Sequence, residues 1–356
     1  MKNIVDKIFV FGIAIISFGL LLMFIISSKN DFSEEENRYL ATFDINNIEE
    51  YIEDHFYMRN NFISLKNKLE FYIGKTLIND IYIGSDNYLI PIFKTNNKRD
   101  LIVDAINKFN LINSNVDVMF VPDSILINED KLKFHLNTLE EEEINYLYSK
   151  LNTNNINVIN SLKNNNLENN LYYRTDHHWT SYGAYIAYKE YFKNKNKNYY
   201  NLSDYKITKV TDDFLGTSSS FVTGLATKED INIFELKDTS LEVNYVYENK
   251  ITNSLYNFDY LNKKDKYAMF LDNNHALITI NNKNINDGSN ILIIKNSYGN
   301  SFVPFIVNHY QNTHVIDLRY YPTSVTDYIK NNNISDILIL YNLNNMYSDM
   351  SIIKLK

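Results

Sequence analysis

The run Ile291-Leu-Ile-Ile-Lys-Asn-Ser297-Tyr-Gly-Asn-Ser-Phe302 decides which class of fold this chain can adopt. Four consecutive apolar residues leave no polar face, so the strand must be covered on both sides, as in a parallel sheet lying between helices. It runs straight into Ser297. Gly299 permits a tight turn there, and the apolar run 303–307 reads as the following helix. A strand-to-helix turn exposes its serine at the carboxyl edge of the sheet, and the helix N-terminus offers backbone N–H groups to an oxyanion. The pattern is not Gly-x-Ser-x-Gly, so by itself it fits an ordinary strand–loop–helix junction as well. Ser301 is a rival, placed inside the helix and further from the turn.

Outward from this turn, short β-rich runs at 116–121, 156–159, 315–318 and 337–341 alternate with helical stretches. The helical patterns cover 100–113, 138–151 and 180–191, the last opened by Thr180 or Ser181 as a cap. This alternation predicts an α/β domain whose largely parallel sheet is covered on both faces. Residues 81–84 and 88–90 flank Ser85-Asp-Asn87 as a short hairpin. Within 48–73, Phe56, Phe62, Leu65, Leu69 and Tyr72 recur at helical spacing and predict an amphipathic helical region. Residues 205–290 are more irregular and β-like, with strands at 241–247 and 276–280. They read as a β-rich insertion that forms a small lobe over the carboxyl-end loops. Only four prolines and nine glycines occur, so no flexible linker cuts the chain, and the asparagine runs 164–166 and 331–333 read as loops.

Composition narrows the function classes. The chain has 356 residues, 45% of them hydrophobic, which is enough for a buried core. A net charge of −8 with scattered lysines gives no basic footprint for nucleic acid. The absence of cysteine removes disulfides, thiol nucleophiles and thiolate metal sites together. Residues 8–27, IFVFGIAIISFGLLLMFIIS, carry no charge, and twenty residues at helical rise span about 30 Å, a bilayer core. Lys2 and Lys7 precede this run, while Asp31 and Glu34 to Glu36 follow it. The positive-inside bias predicts a cytoplasmic N-terminus with the main domain outside the cell membrane, single-pass. No small-x-small cleavage pattern closes the run, so it reads as an uncleaved anchor.

Seven histidines occur: His55, His135, His177, His178, His275, His309 and His314. Two are adjacent in Thr175-Asp-His-His-Trp179, directly after an acid and before the only tryptophan. On extended backbone side chains alternate, so Asp176 and His178 face one way and His177 the other. A carboxylate beside an imidazole fixes its tautomer and stabilises the imidazolium formed on proton uptake. A core histidine satisfied by its neighbour is the competing structural reading. A metal site is a third, without HExxH spacing or a carboxylate cluster to complete it.

Asp-His-His-Trp-Thr, with a serine after a late strand, resembles the DHHW protein family. That family is similar to the alginate-acetylation proteins, SGNH-hydrolase-like O-acetyltransferases of exported polysaccharide. Further stretches carry the resemblance: Glu-Glu-Asn-Arg-Tyr-Leu (35–40), Ile83-Gly-Ser-Asp-Asn-Tyr-Leu89, Phe214-Leu-Gly-Thr217, Phe270-Leu-Asp-Asn-Asn-His275 and Asp317-Leu-Arg-Tyr-Tyr321. It implies an SGNH-like three-layer α/β/α domain at 99–356, preceded by a stub and anchor at 1–29 and a helical and hairpin region at 30–98. It implies Ser297 as nucleophile, His178 as base and Asp176 as acid of a Ser-His-Asp triad, and neither metal nor organic cofactor. Two departures stand out. Asn296 occupies the place where such families usually have an aspartate before the serine, and the chain ends soon after 341, leaving no room for a carbohydrate-binding module.

Around this triad, Asn273, Asn274 and the amides after Ser297, including that of Tyr298, are oxyanion candidates. His177 and Trp179 are substrate candidates, the tryptophan and the tyrosines as stacking faces for sugar rings. Arg319 either orients a substrate carboxylate or pairs with Asp317. The expected function is acyl transfer, most simply of acetyl, to a surface or exported polysaccharide, with a multi-spanning membrane acyltransferase as donor partner. An esterase with the same triad and an inactive glycan-binding scaffold subunit are the alternatives.

Overall fold

The computed structural model describes residues 2–36, 38–134, 136, 138–166 and 170–355, so His135 and Asn37 lie outside the described residues. Two compact units divide the chain: Met1–Lys75 with Ser220–Leu225, and Thr76–Ser219 with Ala226–Lys356.

The first unit opens with helix α1 (Lys2–Ile26), of which Ile4–Ile26 is long and apolar enough to cross a membrane. The helical region expected over 48–73 is two helices, α2 (Ile48–His55) and α3 (Arg59–Tyr72). Met58, in the left-handed conformation at φ 59°, breaks them. The stripe Phe62, Leu65, Leu69 and Tyr72 remains exposed, because α3 turns Asn67 inward instead, where its amide donates to the Thr223 carbonyl.

The second unit is built on an eight-stranded sheet. In chain order its strands are β1 (Val116–Val121), β2 (Asn154–Asn155), β3 (Leu241–Tyr245), β4 (Lys250–Thr252), β5 (Leu277–Asn282), β6 (Asn290–Lys295), β7 (Asn312–Ile316) and β8 (Asp336–Asn342). Their spatial order is β4-β3-β5-β7-β6-β8-β1-β2. From β7 to β2 every pairing is parallel, and from β7 to β4 every pairing is antiparallel. The sheet is therefore mixed, not largely parallel. The reason lies in the 205–290 segment, which does not stand apart as a lobe. Its strands β3, β4 and β5 extend the main sheet, β3 and β4 being joined by the kind of short connection that only antiparallel neighbours allow. The remainder forms the antiparallel ribbon Tyr205–Phe214 and Glu229–Leu236.

The apolar runs are covered on both faces, as their composition requires. Along β6, Ile291 and Ile293 join one hydrophobic cluster, and Leu292 and Ile294 join another across the sheet. Helices α4 (Arg99–Asn113) and α5 (Glu140–Lys150) pack into the second cluster. Helices α6 (Ile159–Asn165) and α7 (Ser181–Asn194), with α8 (Gly299–Ile306) after Ser297, supply most helical residues of the first. Ile159 opens a helix and does not end a strand. Of the described residues in 151–159, Asn154–Asn155 form the strand that pairs with β1, and the apolar 156–159 run goes on to bury Ile159 and Leu162 on a helix. Asn164 and Asn165 lie on that same helix, not in a loop. The 81–83 and 89–91 segments pair as the expected hairpin.

Thr180 caps α7, its hydroxyl oxygen accepting from the Gly183 amide at 3.3 Å. A Cβ on Gly183 would fall inside contact distance of the Leu171 carbonyl and 2.9 Å from Trp179 Cβ. An alanine in place of a helical glycine normally gains up to ~1 kcal/mol. Gly183→Ala is expected to reverse that sign and cost about 2 kcal/mol or more, read as a lowered denaturation midpoint in guanidinium.

Candidate active site

The parallel half of the sheet ends its strands at one edge, and the chemistry-bearing residues collect there. Ser297 follows β6 by two residues, and Asn342 closes β8. The 174–178 segment is bent rather than extended. Three bonds to the Glu229 carboxylate hold the bend, donated by Arg174 N, Thr175 N and Thr175 Oγ1 at 2.8, 2.7 and 2.6 Å. His177 therefore does not face away from His178, as extended backbone would require. The rings of His177 and His178 lie side by side, with centroids 3.8 Å apart, and both approach Asp176.

Asp176 is 2% exposed, and its carboxylate accepts four hydrogen bonds. Oδ1 takes His178 N at 2.9 Å and His178 Nδ1 at 2.6 Å. Oδ2 takes Thr217 N at 2.8 Å and Thr217 Oγ1 at 2.9 Å. Burial opposes ionisation, but the two imidazoles and these donors outweigh it and hold the carboxyl well below the usual carboxylate range. A Cβ on Gly216 would overlap Asp176, so glycine is required where the Thr217 donor loop crosses it.

His178 Nε2 stands 2.7 Å from Ser297 Oγ. With Nδ1–H directed at the carboxylate, Nε2 is the bare nitrogen and the serine hydroxyl donates to it. Tyr267 stacks on the other face of His178, centroids 3.8 Å apart and planes 8° from parallel, and its hydroxyl donates to the Ser297 carbonyl at 3.2 Å. An imidazole so anchored can take a hydroxyl proton and return it to a leaving oxygen. The ligand atoms of Asp176, His177 and His178 lie within 4.8 Å of one another. Yet both Asp176 oxygens and both His178 nitrogens are engaged in these bonds, an arrangement suited to proton transfer more than to holding a metal.

The helix-terminus amides expected to face an oxyanion are engaged inside the turn. Tyr298 N donates to Asn296 Oδ1, Gly299 N to the Asn296 carbonyl, and Asn300 N to the Ser297 carbonyl. Asn273 and Asn274 bond to the first turn of α8. Asn300 Nδ2 donates to the Asn273 carbonyl at 3.3 Å, and Asn274 Oδ1 accepts from Lys295 Nζ at 3.0 Å. Trp179 is fully buried, its indole N–H donating to the Tyr298 carbonyl at 2.9 Å and its ring stacked with Phe302. It packs the core and offers no face to a sugar. Tyr298 is likewise buried, donating its hydroxyl to the His177 carbonyl. Arg319 forks onto Asp317 at 2.9 and 2.6 Å, the internal pair. Ser301 lies within α8, 3.0 Å from the Tyr267 hydroxyl.

Asn296 has a structural reason. Its amide donates to the Asn342 carbonyl at 3.2 Å, and Asn342 Nδ2 donates to Asp123 Oδ1 at 2.8 Å. The Asp123 amide donates in turn to Glu140, and burial pushes both acids of this pair upward. An aspartate at 296 would lose the donor and bring a further acid toward a region already poor in solvation. Gly299 is needed for close approach: a Cβ there would sit 2.7 Å from Lys295 Cβ.

The sequence reading missed Thr217, Gly216, Glu229 and Tyr267. The stretch 214–217 was a usable signal for the first two, whereas Tyr267 is one of 29 tyrosines.

A model of the DHHW protein family matches residues 78–316. This chain belongs to the DHHW family. The fold is shared with a DHHW family protein from Eubacterium siraeum, at TM-score 0.66 and 23% identity over 77% of this chain and 95% of that one. It is shared equally with Bacillus cereus PatB1, solved with a sulfonyl adduct, at TM-score 0.65 and 23% identity over 78% and 98%. The O-acetyltransferase domain of Pseudomonas putida AlgJ is a more distant likeness, at TM-score 0.46 and 11% identity over 75% and 91%. No curated protein matches the sequence.

In this DHHW protein Lys295, fully buried beneath the Ser297 turn, is lowered to about 8 by burial, with Arg319 adding to the effect and Asp317 opposing it. Between pH 8 and its ordinary value of 10.5, the unfolded chain holds a proton there that the folded chain has released. Folding stability from this group therefore rises with pH across that window. Lys295→Met is expected to abolish the rise, seen by comparing the change in guanidinium midpoint from pH 8 to 10.5 with that of the parent.

Proposed function

We propose that the chain is an O-acyltransferase, most simply an acetyltransferase, working through Ser297, His178 and Asp176. The observation that carries this reading is the unbroken hydrogen-bonded path from Asp176 through His178 to Ser297 Oγ, at 2.6 and 2.7 Å, at the carboxyl edge of the parallel strands. Ser297 Oγ attacks the donor carbonyl as its proton passes to His178 Nε2. Asp176 stabilises the imidazolium, and the leaving group departs with that proton. An acceptor hydroxyl then attacks the acyl-serine, gives its proton to His178, and Oγ recovers it as the ester bond to serine breaks. Among the described residues no backbone acceptor takes the amide of Ser297, which makes it a donor available to the oxyanion.

The acceptor is a hydroxyl of a cell-surface or exported polysaccharide, and the donor is supplied by a multi-spanning membrane acyltransferase. Helix α1 is the anchor in this reading, with its N-terminus in the cytoplasm and the acyltransferase outside the membrane. Helix Ile4–Ile26 supports this by length and composition, and Lys2 and Lys7 by the positive-inside bias.

Turnover of a chromogenic acetyl ester by the full chain tests the reading. Ser297→Ala is expected to lower it by ~10³-fold or more, and His178→Ala comparably. A sulfonyl fluoride should modify Ser297 in the parent and not in the Ser297→Ala variant, as peptide mass spectrometry would report. Equal turnover by parent and Ser297→Ala, or labelling confined to another residue, would remove the enzyme reading and favour a glycan-binding scaffold.

A further inference from the structure

His177 is the half of the histidine pair that the acyl-transfer scheme leaves idle. Its protonation is dictated by a neighbour. Thr217 Oγ1 lies 2.9 Å from Asp176 Oδ2 and 2.7 Å from His177 Nδ1. A carboxylate only accepts, so the single Thr217 hydroxyl proton is committed to Asp176. Thr217 Oγ1 must then accept from His177, which places the ring hydrogen on Nδ1 and leaves Nε2 bare. Burial, with His178 adding, holds the ring down to about 4, so it is neutral at pH 7. Nε2 has no partner among the described residues, and the side chain is 25% exposed.

That bare nitrogen belongs to a ring paired with His178. Both imidazoles turn Nδ1 toward the Asp176–Thr217 group, at 2.6 Å for His178 and through the 2.7 Å Thr217 bond for His177. The rings are tilted by 37°, their centroids 3.8 Å apart. The Nε2 edge of His178 meets Ser297 Oγ, and the His177 ring lies one ring spacing from His178. Two acceptor nitrogens on paired rings, only one of them already bonded, match two neighbouring hydroxyls on one acceptor.

We propose that His177 is a positioning residue for the acceptor, its Nε2 accepting a hydrogen bond from a hydroxyl adjacent to the one that attacks acyl-Ser297, so that the site selects vicinal diols such as those of a sugar ring. This rests on the acyl-transfer reading. In the transfer step the attacking oxygen forms its bond to the acyl carbon and its proton goes to His178. The Ser297 Oγ–carbon bond breaks and His178 returns the proton to Oγ. The adjacent hydroxyl keeps its proton and donates it as a hydrogen bond to His177. Water has no second hydroxyl with which to use that contact.

The test loads the full chain from a chromogenic acetyl ester and divides the acyl-enzyme between methyl α-glucoside and propan-1-ol at equal concentration. The burst of chromophore reports acylation, and the ratio of acetyl sugar to propyl acetate reports selection. The parent should favour the sugar. With the acylation burst as internal reference, His177→Ala should lose the sugar preference by roughly tenfold, the worth of one hydrogen bond. His177→Gln, whose Oε1 reaches the position of Nε2, should recover it, and His177→Asn, whose amide ends at the depth of Nδ1, should not. That pair keeps the test decisive if the alanine variant fails to fold. A parent without sugar preference overturns the proposal, as does an alanine variant that retains the preference, or one that loses acylation and both transfers in parallel. Equal recovery by Gln and Asn overturns it too. A burst that persists in Ser297→Ala sinks the acyl-transfer reading itself, a result visible before any acceptor is added.

Discussion

A single buried carboxylate organises this domain's carboxyl edge. Asp176 sits at 2% exposure, where an ion without partners is untenable, and it is made tolerable by four donated hydrogen bonds. Each donor is a structural commitment. The His178 ring must present Nδ1, which aims Nε2 at Ser297. Thr217 must present both its amide and its hydroxyl, which requires glycine at 216 and draws the 214–217 loop across the acid. The Thr217 hydroxyl, once committed, sets the tautomer of His177. Solvating one charge thus determines two imidazoles and the loop that crosses them.

The serine is placed by a second polar system on the sheet side of the same turn. Asn296 ties the residue before Ser297 to β8 through Asn342, and Asn342 ties it to the end of β1 through Asp123. Lys295 bonds to Asn274 and Asn300, fastening the 271–275 loop to the first turn of α8. Buried polar groups of this kind are costly unless satisfied, and when satisfied they admit few alternative arrangements. The short Ser297–His178 distance follows from this rigidity on one side and from the Asp176 group on the other.

Much of the fold was legible because apolar patterns carry it. The runs at 116–121, 291–294 and 337–341 contain almost no polar residue, and each became an interior strand buried on both faces. Thr180 before Ser181-Tyr-Gly183 marked the cap of α7. What patterns could not carry was partner choice. The strands at 241–245 and 277–282 read correctly as strands, but nothing local says that they extend the main sheet antiparallel. The exposed stripe of α3 reads as a core face by its spacing. The bend at 174–178 is invisible because its cause, Glu229, lies more than fifty residues downstream.

From the sequence alone came the α/β class, the family resemblance, and the identity of Asp176, His178 and Ser297 as the residues to watch. These rest on residue types and short-range periodicity, which the chain carries wherever it folds. Tertiary structure alone decided that His177 lies beside His178, that Trp179 and Tyr298 are core, that Arg319 is spent on Asp317, and that Tyr267 backs the imidazole. The burial of Trp179 against Tyr298, 119 positions away, and the stacking of Tyr267 on His178 depend on distant residues meeting at one sheet edge; the local pairs depend on the bend and on which partner the fold leaves in reach. A hydrogen bond across such a gap obeys distance in space, and sequence spacing holds no record of it.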